Sequence, residues 1–335
     1  MANRFLKWLV YTLICFIMLI AVSIFSLSVG ASGIDMLKTI SDIIKSEYSI
    51  ESTILLDIRL PRLLMGIAVG GALGISGLIL QGMFRNPLVD PYTLGISGGA
   101  ASMVCFCIVL GLHRMVGLWI LPLFGFLGSI LVMLTVYYLS FKRGVLRVHG
   151  MLLMGVMISF ISSSVIMLTM ALSKTEDLQG IVFWIMGSLQ ESNYSLISVS
   201  ILVSIMGCLV SCLFVRDLNA LSIGEEEAHH LGVDVEKVKT ILFFLASLLT
   251  GMSVSVSGII GFVGLFVPHL LRLILGNDHR ILMINSFFVG AAFLILCDSI
   301  ARVIISPLEL PVGVVTGAIG GSIFLYILNR RLVRG

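Results

Sequence analysis

Residues 59–100 read RLPRLLMGIAVGGALGISGLILQGMFRNPLVDPYTLGISGGA and carry the clearest fold signal in the chain. Two arginines flank Leu-Pro, a glycine-rich apolar run follows, and a short polar segment with two prolines separates it from a second apolar run. Gly66, Gly70 and Gly74 recur every four residues, so a helix here would carry one stripe almost free of side chains. Such stripes let a neighbouring backbone approach closely and are typical of helices inside membranes.

The composition of the whole chain is that of an integral membrane protein. Of its 335 residues, 58% are hydrophobic and 12% are charged, and the mean hydropathy is +1.12. Soluble domains carry about 25% charged residues. Apolar runs leave no polar stretch long enough for a separate soluble core. We therefore predict an all-α, polytopic membrane protein in which residues 1–335 form a single transmembrane domain.

The length of the apolar runs predicts the number of crossings. A helix needs about 20 residues to cross a hydrocarbon core of about 30 Å, and on that basis we predict a bundle of about ten transmembrane helices. They are predicted near residues 6–29, 62–84, 93–112, 116–140, 150–172, 193–215, 237–256, 262–276, 281–304 and 311–329.

Lysines and arginines divide unevenly between the two sides of such a bundle. An even number of crossings places both termini on one side, and that side collects 14 of the 21 basic residues. The positive-inside rule then predicts that both termini are cytoplasmic. The seven basic residues on the opposite side are Lys38, Lys45, Arg59, Arg62, Arg114, Lys174 and Arg302.

Two stretches are predicted to depart from simple crossings. After the first crossing, Ser32 and Asp35 fit a capping-box pattern ahead of apolar residues, which predicts a short amphipathic helix on the outer surface. Near residues 257–262, closely spaced glycines predict a break or tight reversal, with serines able to satisfy the freed backbone groups.

The chain does not carry its own P-loop ATPase. A Walker A loop needs Gly-x-x-x-x-Gly-Lys-Ser/Thr, and residues 33–39 end in Lys-Thr but have Leu37 where the second glycine must stand. No Gly-Lys pair occurs anywhere in the sequence. Any energy that the protein uses must therefore come from a partner or from an ion gradient.

The most polar stretch is residues 216–239, RDLNALSIGEEEAHHLGVDVEKVK. Ser222 and Glu225 fit a Ser-x-x-Glu capping box, and residues 225–227 place negative charge at the N-terminal end of the helix that would follow. Gly232 supplies a stop. The pattern predicts a helix of about two to three turns in an inner loop, after which Asp234 can cap the next crossing.

Two other polar groups admit more than one interpretation. Glu226 and His230 stand four residues apart, but a lone pair supplies too few ligands for a closed metal site, so a docking helix is the better interpretation. Asp298 is the one acid deep enough to suggest an ion pathway, yet Arg302 lies one turn away and favours a structural pair.

Several motifs occur together and in order, and through them the chain resembles the permeases of ABC importers that move iron-siderophores, haem and cobalamin (the FecCD-type, type II importers). They are the Arg-x-Pro-Arg entry, the glycine ladder and the Asn-Pro-Leu-x-Asp-Pro hairpin of residues 59–100. Further matches are GIIGFVGLFVPHLLR at 258–272, ARVIISPLELPVGVVTGAIGG at 301–321, and Glu227-Ala228 followed by Gly232. The resemblance covers the chain from about Arg59 onward.

The resemblance implies a non-enzymatic permease subunit in a bacterial inner membrane. Its implied partners are a second copy of itself, two cytoplasmic ABC ATPases and an extracytoplasmic substrate-binding protein, besides the lipid bilayer. No metal, other cofactor or nucleic acid is expected. An ion-coupled secondary transporter is the alternative, but it should show inverted repeats and paired acids at midplane. A membrane scaffold is disfavoured by the capped inner helix and the glycine density.

The resemblance also implies three functional regions. The first is an ATPase coupling helix, the second an inner gate in a hairpin stiffened by prolines, and the third an outer landing site of arginines for the binding protein. Alternatively, the hairpin is an ordinary connector, and the arginines snorkel or pair with Asp57, Asp298 and Glu309. The candidate residues are Ser222, Glu225, Glu226, Glu227, Ala228, Leu231 and Gly232 for coupling, Asn86, Pro87 and Leu88 for the gate, and Arg59, Arg62 and Arg302 for docking.

Overall fold

The computed structural model describes residues 2–30, 39, 42, 49–142, 144–306 and 308–332. The amphipathic helix predicted around Ser32 and Asp35 falls outside the described residues. In the described part the chain is almost entirely helical, and its β structure is limited to one two-stranded hairpin and one isolated bridge.

The helices are α1 (Ala2–Ser28), α2 (Ile50–Thr53), α3 (Leu60–Met83), α4 (Ile96–Val109), α5 (Leu112–Val116), α6 (Ile120–Ser140), α7 (Val148–Leu172), α8 (Thr175–Met186), α9 (Tyr194–Leu213), α10 (Val215–Ile223), α11 (Glu225–His230), α12 (Val235–Ser257), α13 (Val263–Leu275), α14 (His279–Val303) and α15 (Val312–Leu332). A π-helical segment (Ile54–Arg59) joins α2 to α3, a 3₁₀ turn (Pro91–Leu94) precedes α4, and β1 (Phe141–Lys142) pairs antiparallel with β2 (Val145–Leu146) between α6 and α7.

The all-α, polytopic class predicted from the sequence is confirmed. Within the described residues, seven helices are long and apolar enough to cross a bilayer, and three shorter apolar helices match the remaining predicted crossings. Two of the short ones, α4 and α13, have 14 and 13 residues, or about 20 Å at 1.5 Å per residue. Each begins after a residue in the left-handed region, Gly95 at φ 79° and Phe262 at φ 70°.

Helix α3 lies at the centre of the bundle. Its most apolar window is 89% buried, against 11% for α1 and 17% for α7. A Cβ at Gly70 would overlap the carbonyl oxygen of Gly290, and one at Gly74 would overlap that of Ser286, both on α14. The predicted stripe of small residues is therefore the surface on which α14 packs backbone to backbone.

The predicted break near residue 260 is also confirmed. Helix α12 ends at Ser257, and Gly258 has a φ of 69°. The expectation that serines satisfy the freed backbone groups is wrong at Ile260, because its N–H and C=O both bond to the hydroxyl of Tyr92, at 3.2 and 2.9 Å. The Ser257 hydroxyl instead donates to its own helix, to the Ser253 carbonyl at 2.7 Å.

Polar side-chain contacts collect at the two ends of the bundle. At one end, α10 bonds to the residue before α14, α11 bonds to α12, and α12 bonds to the β hairpin. At the other end, contacts join the end of α1, the start of α3 and the segment after α14. The interior between these ends is formed mainly by apolar side chains and glycine.

Candidate functional site

The hairpin predicted to form the inner gate, residues 85–90 and called the gate hairpin below, projects from the end of α3. Its tip is exposed, and Leu88 has 51% of its surface accessible. The turn is closed by Asn86, whose Oδ1 accepts a hydrogen bond from the Leu88 N–H at 3.0 Å and whose carbonyl accepts from the Val89 N–H at 3.3 Å. Arg85 takes a positive φ of 51°, so the chain reverses within one residue of the helix end. Asn86, Pro87 and Leu88 are thus presented together on a short, ordered turn.

The base of the gate hairpin is held by Gln81, which the sequence analysis did not single out. This side chain is 2% exposed, and its Nε2 donates to the carbonyls of Val89, Gly264 and Leu265 at 3.4, 3.3 and 3.1 Å. Its Oε1 accepts from the guanidinium of Arg272. One amide therefore joins the gate hairpin to α3 and to the first turn of α13.

A cavity of about 400 Å³ adjoins the hairpin. Its lining includes Arg85 and Arg272, together with Gln81, Asn86 and His279, and contains no aspartate or glutamate among the described residues. The space beside the hairpin is therefore polar and positively charged.

The segment predicted to dock on an ATPase, residues 215–233 and called the docking segment below, differs in part from the sequence prediction. Helix α10 continues through Ile223, so Ser222 is helical and cannot be an N-cap; its hydroxyl donates to the Asn219 carbonyl at 2.7 Å. Gly224 is the N-cap of α11 and makes no side-chain cap bond. The Ser222–Glu225 capping box is therefore wrong, because the serine ends the preceding helix rather than starting the next.

Helix α11 is shorter than predicted, with six residues, but it ends where expected. Gly232 has a φ of 83°, and the Val233 N–H returns to the Ala228 carbonyl at 3.0 Å. This is the bonding pattern of a glycine-terminated helix. Ala228 is fully buried, whereas Leu231 is 67% exposed. Glu226, Glu227 and Gly232 are also exposed, so α11 shows solvent a face of acids beside one apolar side chain.

Two polar contacts fix the docking segment to the bundle. Asn219 on α10 accepts from the backbone N–H of His279 at 2.9 Å and lies 2.8 Å from its Nδ1, while its own amide donates to Asp278 at 2.9 Å. Lys239 on α12 reaches Glu225 on α11 at 3.0 Å. Asp234 caps α12 through the Lys237 N–H at 3.3 Å, as the sequence predicted.

The three arginines predicted to lie on the outer side are buried and bonded to other groups of the chain. Arg62 is 7% exposed and pairs with Glu309 at 2.6 Å, and Gln190 bonds to the same carboxylate oxygen at 2.5 Å. Burial alone raises the pKa of Glu309, but the hydrogen bond and charge of Arg62 outweigh it and hold that pKa below its usual range.

Arg302 and Arg59 bind the end of α1. Arg302 pairs with Asp298 at 3.0 Å and donates to the Ser26 hydroxyl at 2.7 Å. Arg59 donates to the Leu27 carbonyl at 2.6 Å. The pairs with Asp298 and Glu309 that the sequence offered as the alternative to docking are therefore present, and Asp298 is neutralised by an arginine.

The structure thus separates the predicted residues into two groups at opposite ends. The gate hairpin and the docking segment meet through Gly82 of α3 and the start of α14: a Cβ at Gly82 would lie 2.7 Å from Nε2 of His279 and 3.1 Å from the Leu218 side chain. The docking arginines lie at the far end. Gln81, Asn219, Glu236 and Lys239 were missed because each binds at least one partner that is distant in sequence.

Comparison with known proteins agrees with this architecture. The chain is 40% identical to the hemin transport system permease HmuU of Yersinia pestis, over 82% of this chain and 83% of that one. It is 39% identical to the cobalamin import system permease BtuC of Halobacterium salinarum, over 83% of this chain and 73% of that one. A solved structure described as an inward-facing metal-chelate type ABC transporter superposes with a TM-score of 0.84 at 30% identity, covering 96% of this chain and 99% of that one.

The model of the FecCD transport family matches residues 18–330, which is nearly the entire chain. The match therefore includes the second half of α1, the nine other apolar helices of the described residues, the gate hairpin and the docking segment. This chain is a multi-pass membrane protein and belongs to the FecCD transport family.

Proposed function

We propose that this chain forms the translocation path of an ABC importer as a homodimer, with two cytoplasmic ATPases and an outer substrate-binding protein. The observation that carries the proposal is the docking segment. A short helix with a buried alanine on one side and an exposed leucine and acids on the other suits the groove of a soluble partner. It also touches the same end of α3 that carries the gate hairpin.

The second copy is proposed to pack on helices that this chain leaves uncovered. The most apolar window of α7 is only 17% buried, and Leu153, Phe160, Met167 and Leu172 are each more than half exposed. Lipid covers part of such a surface, and a two-fold partner covers the remainder. The docking segment and gate hairpin then face the cytoplasm, which agrees with the excess of basic residues at that end.

The proposed cargo is a large metal chelate: an iron-siderophore or haem first, cobalamin next. Two relatives at similar identity carry hemin and cobalamin in their names. Uptake of labelled haem, ferric siderophore and cobalamin into vesicles holding the reconstituted importer tests this order. If none of the three compounds is taken up, the proposed class of cargo is excluded.

The coupling role is tested at Leu231 and Gly232. Leu231→Asp changes an exposed side chain, and Gly232→Pro removes a φ of 83° that proline cannot adopt. Both variants should insert normally but lose uptake driven by ATP. Met115→Asp, which alters an 81% exposed residue in α5, is the control. Substrate-stimulated ATPase activity equal to wild type in both variants would contradict the role.

The gate role is tested with a cysteine at Leu88. Two subunits should cross-link through this position in a manner that depends on nucleotide, because the hairpin tip is exposed and is proposed to lie nearest the two-fold axis. The unaltered chain, with its six native cysteines, is the control. The absence of cross-linking in every nucleotide state would place the gate elsewhere.

The outer docking role is tested at the Arg62–Glu309 pair. Arg62 is proposed to bind a carboxylate of the binding protein in place of, or beside, Glu309, which is the more exposed partner. Glu309→Gln should then tighten binding-protein affinity, and Arg62→Gln should weaken it, with both effects largest at low ionic strength. Arg59→Glu and Arg302→Glu are measured in the same way, and affinities equal to wild type in all four variants would leave the three arginines a structural role only.

A further inference from the structure

Lys239 is the most completely buried charged residue of the described chain, at 1% exposure. Its ammonium group has three N–H donors, and three oxygens surround it. Nζ lies 2.6 Å from Oε1 of Glu236, 3.0 Å from Oε2 of Glu225 and 3.1 Å from the carbonyl oxygen of Leu146. The three acceptors lie on three different elements, α12, α11 and β2.

A second bond closes this arrangement into a ring. The other carboxylate oxygen of Glu236 accepts from the Leu146 N–H at 2.5 Å. Leu146 is therefore bonded through both backbone groups, one to Glu236 and one to Lys239. The ring joins α11 through Glu225, α12 through residues 236 and 239, and the β hairpin through β2.

We propose that Lys239 is a positioning residue that transmits movement of the docking segment to α12 and to the connection between α6 and α7. The proposal rests on the proposed function, since it requires an ATPase to move the docking segment. Helix α11 has only six residues, and so short a helix is not stable by itself. Its stiffness relative to the bundle must come from its contacts, of which Ala228 supplies a buried apolar one and the pair of Glu225 with the buried Lys239 a polar one.

The β hairpin, which the ring joins to α12, leads into α7 and shows which helix would move with α11. Strand β1 follows α6 directly, and α7 begins two residues after Leu146. Helix α7 is among the least covered helices, so its position depends strongly on its ends. A displacement of α11 would be carried by one ammonium group to the start of α7 and, along the same side chain, to α12.

The test uses the full importer reconstituted in vesicles with its cognate ATPase and binding protein. Uptake and ATP hydrolysis are measured together in Lys239→Met, Lys239→Arg and Lys237→Met. Lys239→Met keeps the length of the side chain without its charge, and Lys239→Arg keeps the donors. Lys237→Met is the matched control, because Lys237 is exposed on the same turn of α12.

Lys239→Met is expected to lower the uptake per ATP hydrolysed by about tenfold, the usual size of a coupling effect. Lys239→Arg should restore most of that ratio, and Lys237→Met should match wild type. If uptake and hydrolysis fall in equal proportion in Lys239→Met, the residue is merely structural and the proposal is overturned.

A second variant covers the possibility that Lys239→Met does not fold. Glu236→Gln alters a partly exposed residue and weakens the pair without leaving Leu146 N–H unbonded. It should lower the same ratio by a smaller factor, and a ratio equal to wild type would also overturn the proposal. Leu231→Asp distinguishes failure of this inference from failure of the proposed function. If Leu231→Asp uncouples the importer and the Lys239 and Glu236 variants do not, only the role of Lys239 is refuted. If Leu231→Asp also has no effect, the proposed function is refuted.

Discussion

Replacing Gly77 with alanine should destabilise the bundle, because the added methyl group would enter the backbone of α13. A Cβ at Gly77 would lie 2.5 Å from the carbonyl carbon and 2.6 Å from Cα of Gly264, and closer still to its carbonyl oxygen. Ordinary contact needs about 3.5 Å, so α3 and α13 would have to separate by more than about 1 Å.

The size of the effect follows from two contributions. Overpacking of a filled interior costs about 1–3 kcal/mol. Separation of α3 from α13 also lengthens the bonds from Gln81 to Gly264 and Leu265, which already measure 3.3 and 3.1 Å, and each such bond contributes about 1 kcal/mol. The free energy of unfolding should therefore fall by about 2–5 kcal/mol.

Gly180→Ala is the matched control. Gly180 is exposed in α8, and a Cβ there would meet nothing within 4 Å. Alanine should add about 0.5–1 kcal/mol of helix stability at such a position. Thermal unfolding in detergent, followed by tryptophan fluorescence, should give a lower melting temperature for Gly77→Ala and an equal or higher one for Gly180→Ala. A melting temperature of Gly77→Ala at or above wild type would refute the close packing of α3 on α13.

Three further predictions follow from single contacts. Gln81→Leu removes the bonds at the base of the gate hairpin, so amide hydrogen exchange of residues 85–90 should accelerate while exchange in α9 stays unchanged. Tyr92→Phe leaves both backbone groups of Ile260 without their partner and should cost about 1–3 kcal/mol in thermal unfolding; an unchanged melting temperature would contradict this. Because the pKa of Glu309 is lowered, its pair with Arg62 contributes stability above the ordinary glutamate pKa and loses it as pH falls through the lowered value. Melting curves between about pH 3 and 7 should therefore converge for wild type and Glu309→Gln only at the acid end.

The parts of the fold that the sequence predicted depend on local patterns. Gly70 and Gly74 are four residues apart, which places them on the same face of a helix. That face could be predicted without knowing that α14 covers it. The break at residues 257–262 was predicted because glycines weaken a helix wherever they are placed. The same reasoning predicted the stop at Gly232 and the cap at Asp234.

Other features depend on contacts that no local pattern contains. Ser222 fits a capping box equally well at the start of a helix or at the end of the preceding one, and only the continuation of α10 decides between them. Lys239 belongs to a stretch that the sequence predicts as an inner loop, although it is buried in the structure and bonds to Glu225 and Leu146. In the sequence Gln81 is a single glutamine in an apolar run, and no local pattern indicates that folding places Gly264 beside it.

The distribution of contacts also limits which parts of the molecule can move. In the middle of the bundle, α3 meets α13 and α14 through backbone atoms at Gly70, Gly74 and Gly77, and such surfaces do not deform gradually. A conformational change should therefore keep these three helices as one body and move the weakly covered ones against it. Helices α1 and α7 are the least covered, and α7 is the one whose first turn lies beside the Lys239 ring. The three helices expected to move as one body and the weakly covered α7 thus meet at the end of the molecule that carries the docking segment, which is where the proposed ATPases would apply force.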